Sequence, residues 1–413
     1  MTIARLVACA DFGRTELVRN TATRQAMASG RPLRTVLLIS NTVMHYRVSV
    51  YNYFWRRFRE DGYDFQVLTN RMQSQNQILP QFCFEEIPFH FRAYRRAVLE
   101  RRPAAVILFL HLKDRMFWPL VHWLKWRRIP VAFWTKTRNL GELDSRLRNA
   151  LFDYMLWLHD GLILYSADLI KNVSKRGRHK AFPANNTINF EDFPDVSESK
   201  DQIKRQLGIP FKKVVLFAGR MDVDGGRKRV DHLIEIFRDI NGRDAGLVIV
   251  GSGLKEEWRA RMNPQTTIYL GEIHDPQNLQ ISRVFKMADV SAIPGHVGLG
   301  LNQAFYFGLP VVTEEGNHPP EIGYLKPGRN GFIVPENDLA RLREKLFTLL
   351  DNDAMRLEFS RNAREDILRN ASTEGMYRGF RDCVCFLDGG KREVADRTGG
   401  LVNPSQQDKR EIV

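Results

Sequence analysis

Two stretches in the second half of the chain carry residues suited to holding a phosphate group. The apolar run "KVVLFAG" (213–219) is followed by Arg220, a glycine-containing loop and Lys228, where the next helical pattern begins. Two cations beside a helix N-terminus, whose free backbone N–H groups also favour negative charge, suit a diphosphate. A solvated basic turn is the alternative interpretation, but the position directly after a strand favours the phosphate site.

A second glycine-bearing loop repeats this arrangement. The predicted strand "VSAIP" is followed by "GHVGLG" (295–300), and a helix is predicted to begin near Asn302. Glycines let a backbone approach a ligand closely and present its amides to an anion or to hydroxyl groups. A tight turn between a strand and a helix has a similar composition. Together with the two cations, however, the loop indicates a site for a nucleotide diphosphate.

The elements that carry these loops are predicted to be strands and helices in alternation. From Thr35 onwards, short runs rich in valine and isoleucine alternate with amphipathic segments, which is typical of βαβ units on a parallel sheet. Ligands bind outside the carboxyl ends of such strands. Because 413 residues exceed one ordinary core, we expect an α/β protein with two doubly wound domains facing across a cleft. The predicted segments are a disordered extension at 1–33, a first domain at 34–190, a linker at 191–205, a second domain at 206–371, a C-terminal helix at 372–390 and a disordered tail at 391–413.

Positive charge is concentrated in the first half of the chain. Residues 1–200 contain 31 Lys and Arg against 18 Asp and Glu, whereas residues 201–413 contain 31 against 30. The first half therefore suits an anionic partner such as a membrane surface, a phosphorylated acceptor or nucleic acid, or it is basic without a partner. No RNA- or DNA-binding motif is present, so we expect no nucleic acid partner. No run reaches the ~18 apolar residues of a transmembrane helix, and we expect a cytoplasmic protein.

The segment "DRMFWPLVHWLKWRR" (114–128) combines apolar residues at helical spacing with three tryptophans and several cations. Such a helix suits an anionic lipid interface, with its tryptophans at the depth of the headgroups. A domain helix with its tryptophans in the core fits the same pattern equally well. A peripheral position on the inner face of the plasma membrane is therefore one of two open interpretations.

The second half resembles the retaining glycosyltransferases of family 4, which have the GT-B fold. The resemblance lies in "FAGR", "GGRKRVDHLI", "LVIVGSG", "MADVSAIPG", "GLGLNQAFYFGLPVVT" and "HPPEIGYLKPGRNGFIV", which keep the family's order and spacing over about 210–350. Over 35–190 it is weaker and rests on "VMHYRVSVYNYF" and "NNTIN". It implies transfer of a hexose from a UDP- or GDP-linked sugar to a glycan, carried on a polyprenyl diphosphate, during synthesis of a bacterial surface polysaccharide.

The resemblance also implies roles for single residues of the second domain. Arg220 and Lys228 match the pair that stabilises the departing diphosphate, and Gly219 directly precedes them. Gly298 and Leu299 match the loop whose amides contact phosphate and sugar. The loop sequence PGxVGL resembles that of a subgroup of the family.

One departure from the family concerns two glutamates that are usually eight positions apart, where this chain has Gly295 and Gln303. Gln303 can still hydrogen-bond ribose hydroxyls, and His296 or Glu321 are candidates for the sugar contact that glycine cannot make. Retaining transfer in this family needs no protein nucleophile, because the leaving diphosphate assists attack from the same face. We expect no metal and no other cofactor, since "DVD" (222–224) is interpreted as a solvated turn rather than a metal site.

The first domain is expected to contact the acceptor. His45 and Arg47 follow the first predicted strand, and Lys136 occupies a position where relatives often have a histidine. A purely structural role for His45 stays open. Two other functions also stay open: a catalytically silent relative that acts as a binding protein, which the lost glutamate favours, and an epimerase that acts on a nucleotide sugar without an acceptor.

Overall fold

The computed structural model of the chain describes residues 32–73, 78–111, 114–137, 146–221, 228–240 and 244–389. The predicted tail at 391–413 lies outside this part, as do the segment 222–224 and nearly all of the predicted extension at 1–33. Within the described residues the strands form two parallel sheets, one of seven strands and one of six.

The first sheet has the strand order β3-β2-β1-β4-β5-β6-β7. Its strands are β1 (Arg34–Val43), β2 (Tyr63–Met72), β3 (Cys83–Glu86), β4 (Ala105–Phe109), β5 (Val131–Thr135), β6 (Gly161–Leu164) and β7 (Ala181–Pro183). Helices α1 (His45–Glu60), α2 (Phe91–Arg101), α3 (Phe117–Trp126) and α4 (Arg146–Leu158) connect them. The strand order reverses beside β1, as in other doubly wound sheets. The sequence did not predict β3, which is fully exposed, or β7, which has only three residues.

The second sheet has the strand order β10-β9-β8-β11-β12-β13, again with parallel pairing. Its strands are β8 (Lys213–Ala218), β9 (Ala245–Val250), β10 (Thr267–Tyr269), β11 (Val290–Ala292), β12 (Val311–Glu314) and β13 (Gly331–Val334). Its helices are α5 (Lys200–Gln206), α6 (Val230–Arg238), α7 (Glu256–Arg259), α8 (Leu279–Met287), α9 (Leu299–Tyr306), α10 (Leu339–Asp351) and α11 (Asp353–Asn370). The prediction of an α/β fold with two doubly wound domains is confirmed.

Amphipathic helices cover the sheets because their apolar residues recur at helical spacing. In α6 the apolar stripe of Val230, Leu233, Ile234 and Phe237 is buried against the second sheet. Within the described residues, no helix is both long enough and apolar enough to cross a membrane.

The last helix, α12 (Thr373–Leu387), returns to the first domain. Its Phe380 packs against Phe54 of α1 and Trp134 of β5, with ring centroids 4.8 and 5.0 Å apart. The segment between the domains also contributes to a core, because Ile203 of α5 is buried in the second domain. The chain therefore passes between the domains twice, which holds the two sheets in a defined relation.

Candidate functional site

Lys228 joins the two glycine-bearing loops of the second domain. Its Nζ donates to the carbonyl oxygens of His296 at 3.1 Å and Val297 at 3.5 Å. Its own carbonyl oxygen accepts from the N–H of Gly295 at 3.1 Å. Burial, followed by the nearby charge of Arg220, lowers the pKa of Lys228 to about 8. An anion beside this ammonium group would favour its charged form again.

The end of β8 places both cations at the same edge of the second sheet. Gly219 has a φ of +148°, and a Cβ atom there would lie 3.4 Å from Cε and 3.6 Å from Nζ of Lys228. These distances are ordinary van der Waals contacts, so it is the positive φ, and not a lack of space, that favours glycine at the strand end. Arg220 follows directly and is exposed. This edge of the sheet thus presents a half-buried cation and an exposed cation.

The predicted loop ends at the first turn of α9. Gly298 is the N-cap residue, with φ +54° and ψ −152°, so α9 begins at Leu299 and not near Asn302. The first helical turn was missed in the sequence because it contains Gly300, and glycine is unfavourable in the interior of a helix. That preference is weak, and the packing of the buried Leu301 overrides it. The free N–H groups of this turn carry partial positive charge. Gln303 is half-buried in the same helix.

Buried groups behind the loop hold it in place, and the sequence did not reveal them. The N–H of Val297 donates to Nδ1 of His318 at 3.4 Å, while Nε2 of His318 donates to the carbonyl oxygen of Glu314 at 2.6 Å. The Glu314 carboxylate also accepts from Arg229 at 2.7 Å and contacts Nδ1 of His232 at 2.6 Å. Burial disfavours the charged carboxylate, but these hydrogen bonds lower the pKa of Glu314 overall.

His45 of the first domain lies within the electrostatic influence of Arg220 of the second. It is the first residue of α1, and its Nδ1 is buried without a hydrogen-bond partner among the described residues. Burial and then Arg220 lower the pKa of His45, while Glu272 opposes this effect. The imidazole is therefore held neutral at a place where both domains meet. Glu272 was not among the predicted site residues. It directly follows the apolar run "TTIYLG" (266–271), and that position after a strand could have identified it from the sequence.

Arg47 lies deeper, in a polar network between the domains. Its Nη2 donates to Oδ1 of Asn186 at 2.5 Å, and Nδ2 of Asn186 donates to the carboxylate of Glu321. Nδ2 of Asn302 donates to the carbonyl oxygen of Asn186 at 3.1 Å. All four residues are buried. The remaining carboxylate oxygen of Glu321 has no hydrogen-bond partner in the described part of the chain.

Lys136 stands alone among the predicted acceptor residues in being fully exposed. It follows the carboxyl end of β5, and its Nζ lies 5.2 Å from the ring centroid of Tyr165. The structure therefore brings His45 and Arg220 together, keeps Lys136 at the same edge of the first sheet, and withdraws Arg47 and Glu321 from the surface.

Two cavities lie apart from these cations. One of about 340 Å³ is lined by Phe193, Lys286, Tyr306 and Arg364, among others. The other, of about 300 Å³, lies between the domains beside Asp168. The cations of the larger cavity already donate to backbone carbonyl groups, as Lys286 does to Val196. The open cleft at Arg220 and Lys228 is the more convincing anion site.

Two doubly wound domains that face each other, joined by buried contacts and a helix that returns to the first domain, define the GT-B fold. Residues 199–366 match the family model described as Glycosyl transferases group 1. The second domain is therefore a glycosyltransferase group 1 domain, and it contains Arg220, Lys228 and the loop before α9.

Known proteins similar to the chain agree with this assignment. The poly(ribitol-phosphate) alpha-N-acetylglucosaminyltransferase of Staphylococcus aureus (strain COL) is 26% identical over 156 residues, 36% of this chain and 31% of that protein. The capsular polysaccharide biosynthesis glycosyltransferase CapM of Staphylococcus aureus is 24% identical over 261 residues, covering 55% of this chain and 66% of CapM. These matches span less than two thirds of either relative.

A solved structure supports the fold independently. The Anabaena protein Alr3699/HepE, in complex with UDP and glucose, has a TM-score of 0.62 and 12% sequence identity. The match covers 84% of this chain and 98% of that one. Both domains of the chain, and not only the second, therefore share this architecture.

Proposed function

We propose that the chain is a retaining glycosyltransferase that moves a hexose from a UDP- or GDP-linked sugar to a glycan acceptor. The observation that carries the proposal is the pair Arg220 and Lys228 beside the N-terminus of α9, with His45 facing them from the other domain. Cations and oriented N–H groups stabilise the negative charge that develops on a leaving diphosphate.

In the proposed reaction, the bond between the anomeric carbon and the diphosphate oxygen breaks. The acceptor hydroxyl oxygen bonds to the same face of that carbon, and its proton passes to the diphosphate. Arg220 and Lys228 hold the diphosphate, the amides at Gly298 and Leu299 contact phosphate and sugar, and Gln303 binds the ribose. Since the two cations supply the positive charge, we propose that no metal is required.

His45 and Lys136 form the proposed acceptor side. The imidazole of His45 is half-buried and neutral, and a neutral imidazole can accept a hydrogen bond from a hydroxyl group. Arg47 is buried and bound to Asn186. We therefore propose that Arg47 positions His45, two residues earlier in α1, and does not touch the acceptor itself.

The relatives favour a role in surface polysaccharide synthesis. One is named for poly(ribitol-phosphate) and another for capsular polysaccharide. We extend this to a polyprenyl-diphosphate-linked acceptor at the inner face of the plasma membrane. Gly295, where the family usually has a glutamate, favours the second candidate, a silent binding protein that holds a nucleotide sugar without turnover.

Thermal unfolding in the presence of UDP, GDP, ADP and dTDP, and of their sugars, tests the donor site. One nucleotide is expected to raise the Tm, and Arg220→Ala is expected to remove the shift. The anomeric configuration of the product, read by NMR, then tests retention. Binding without transfer to any glycan would favour the silent protein, and conversion of the sugar without an acceptor would favour an epimerase.

A further inference from the structure

Two helices of the first domain expose large aromatic side chains. Trp126 of α3 is 75% exposed and Trp157 of α4 is 71% exposed. Tyr154, 39% exposed, lies three residues before Trp157, with ring centroids 5.9 Å apart, and Leu151, 40% exposed, lies three residues before Tyr154, so each is the neighbour of the next along α4. Scattered exposed apolar residues are ordinary, whereas a cluster of them marks a binding surface.

The two helices lie side by side and run in the same direction. The rings of Trp118 and Tyr154 are stacked, with centroids 6.4 Å apart and planes at 15°. Nε2 of His122 is 2.9 Å from the hydroxyl oxygen of Tyr154. Further along, Lys125 forms an ion pair with Asp160. The carboxyl ends of the helices, which carry the two exposed tryptophans, therefore lie together.

Cations border these side chains on two sides. Arg127 and Arg128 follow α3 and are exposed, and the guanidinium of Arg127 is 5.9 Å from the ring centroid of Trp126. The 3-10 helix Lys175–Lys180 borders α4, because its last residue donates from Nζ to the carbonyl oxygen of Trp157 at 2.8 Å. We call the surface formed by Leu151, Tyr154, Trp157, Trp126 and the flanking cations the aromatic face.

We propose that the aromatic face docks the protein on an anionic lipid bilayer. Tryptophan and tyrosine favour the headgroup region, while flexible lysine and arginine side chains reach lipid phosphates. Lys175, Arg176 and Arg178 are exposed in the 3-10 helix. Asp153 is exposed on α4, but the cations outnumber it. This excess of positive charge favours a lipid surface over a protein interface, whose centre is depleted of charge.

The aromatic face lies away from the cleft edge of the first domain. Helix α3 starts beyond the carboxyl end of β4, at the edge that faces the second domain, and ends just before β5. A helix of its length spans about 15 Å. Trp126 and Arg127, at the end of α3, therefore lie about one helix length from the cleft edge. Docking by this face does not rest on the proposed function.

Co-sedimentation with vesicles tests the proposal. The full chain is incubated with phosphatidylcholine vesicles, with and without about a third phosphatidylglycerol, at low and physiological salt. The wild type is expected to prefer the anionic vesicles, and more strongly at low salt. The double variant Trp126→Ser/Trp157→Ser is expected to lose at least tenfold in binding. Lys175→Glu/Arg176→Glu is expected to lose the preference for anionic lipid.

Leu357→Ser is the matched control, because Leu357 is 60% exposed on the second domain. It is expected to bind vesicles as the wild type does. Equal binding to neutral and anionic vesicles, or undiminished binding of the tryptophan variant, would overturn the proposal. So would a concentration-dependent dimer that the tryptophan variant disperses while neither protein binds vesicles, since a second copy would then cover the face.

Thermal shift by nucleotide, and transfer to a water-soluble acceptor, are measured on the same variants. Both are expected to be unchanged, which shows that the variants fold and keeps the two proposals separate. Vesicle binding without nucleotide binding would contradict the proposed function alone. Nucleotide binding and transfer without vesicle binding would contradict the docking alone.

Discussion

The two sides of the cleft differ in how firmly their polar groups are held. On the second domain, Lys228 donates to two carbonyl groups, and the loop that it contacts is bound from behind by His318. On the first domain, Nδ1 of His45 has no hydrogen-bond partner among the described residues, and Lys136 is exposed. Groups that stabilise a developing charge act best when they are already oriented. The second-domain side of the cleft is therefore the better suited to stabilise such a charge.

The family match follows the same division. It covers residues 199–366, which contain the cations and the glycine-bearing loop. The first domain instead carries the aromatic face and the excess of positive charge. The family match therefore includes the strand-end loops and not the aromatic face.

The largest effect is expected when the second-domain side of the cleft loses a cation. Arg220→Ala and Lys228→Ala are each expected to lower kcat by roughly 100- to 1,000-fold, as does removal of one preorganised donor elsewhere. Steady-state kinetics with saturating donor measures the effect. Lys212→Ala is the control, because Lys212 is exposed and directly precedes β8, at the opposite end of that strand. A loss below threefold in both variants would show that the diphosphate does not lie at this edge.

A smaller effect is expected in the buried polar network of Arg47, Asn186 and Glu321 between the two domains. Arg47→Met leaves Oδ1 of Asn186 without its donor and the buried Glu321 without a nearby cation. We expect the free energy of unfolding to fall by about 2 kcal/mol, the typical cost of a buried unsatisfied group. Urea denaturation measures the free energy of unfolding. Glu321→Gln keeps the hydrogen bond from Asn186 and is expected to lose less stability than Arg47→Met. Unchanged stability of Arg47→Met would show that the network contributes little.

The pKa of Lys228 predicts a dependence of nucleotide affinity on pH. Its ammonium group deprotonates near pH 8 in the empty site, and a bound diphosphate favours the charged form. Affinity is therefore expected to be constant well below pH 8, to begin to fall as the pH approaches 8, and at pH 9 to be up to about tenfold lower than at low pH. Calorimetry across pH 7–9.5 measures this. Lys228→Arg, which stays charged, should lose the dependence; an identical pH profile in that variant would assign the titration to another group.

The smallest effect is expected at the residue that replaces a family glutamate. Gln303→Ala is expected to raise the KM for the donor about fivefold, which is close to the net worth of one hydrogen bond. The kcat should change little, because a ribose contact is the same in the ground and transition states. Gln303→Glu is expected to behave like the wild type. A change in kcat without a change in KM would place Gln303 at the reacting carbon instead.

Local patterns accounted for the fold and for the two strand-end loops of the second domain. Alternation of apolar runs with amphipathic segments predicted both sheets, because the periods of strands and helices are properties of neighbouring residues. Arg220, Lys228 and Gly298 were chosen as candidates because they lie in the segments between a strand and the next helix. The short β7 and the exposed β3 escaped prediction, since neither has an apolar pattern of its own.

What the sequence by itself determined, then, is the fold class, the two strand-end loops and the uneven charge. Tertiary structure alone decided that Arg47 and Glu321 are buried together through Asn186, although more than 130 residues separate Asn186 from each of them. It also decided that Trp126 is exposed while Phe117 and Leu120 of the same helix face the core. Such contacts depend on which faces the packed elements bring together, and no local period records that.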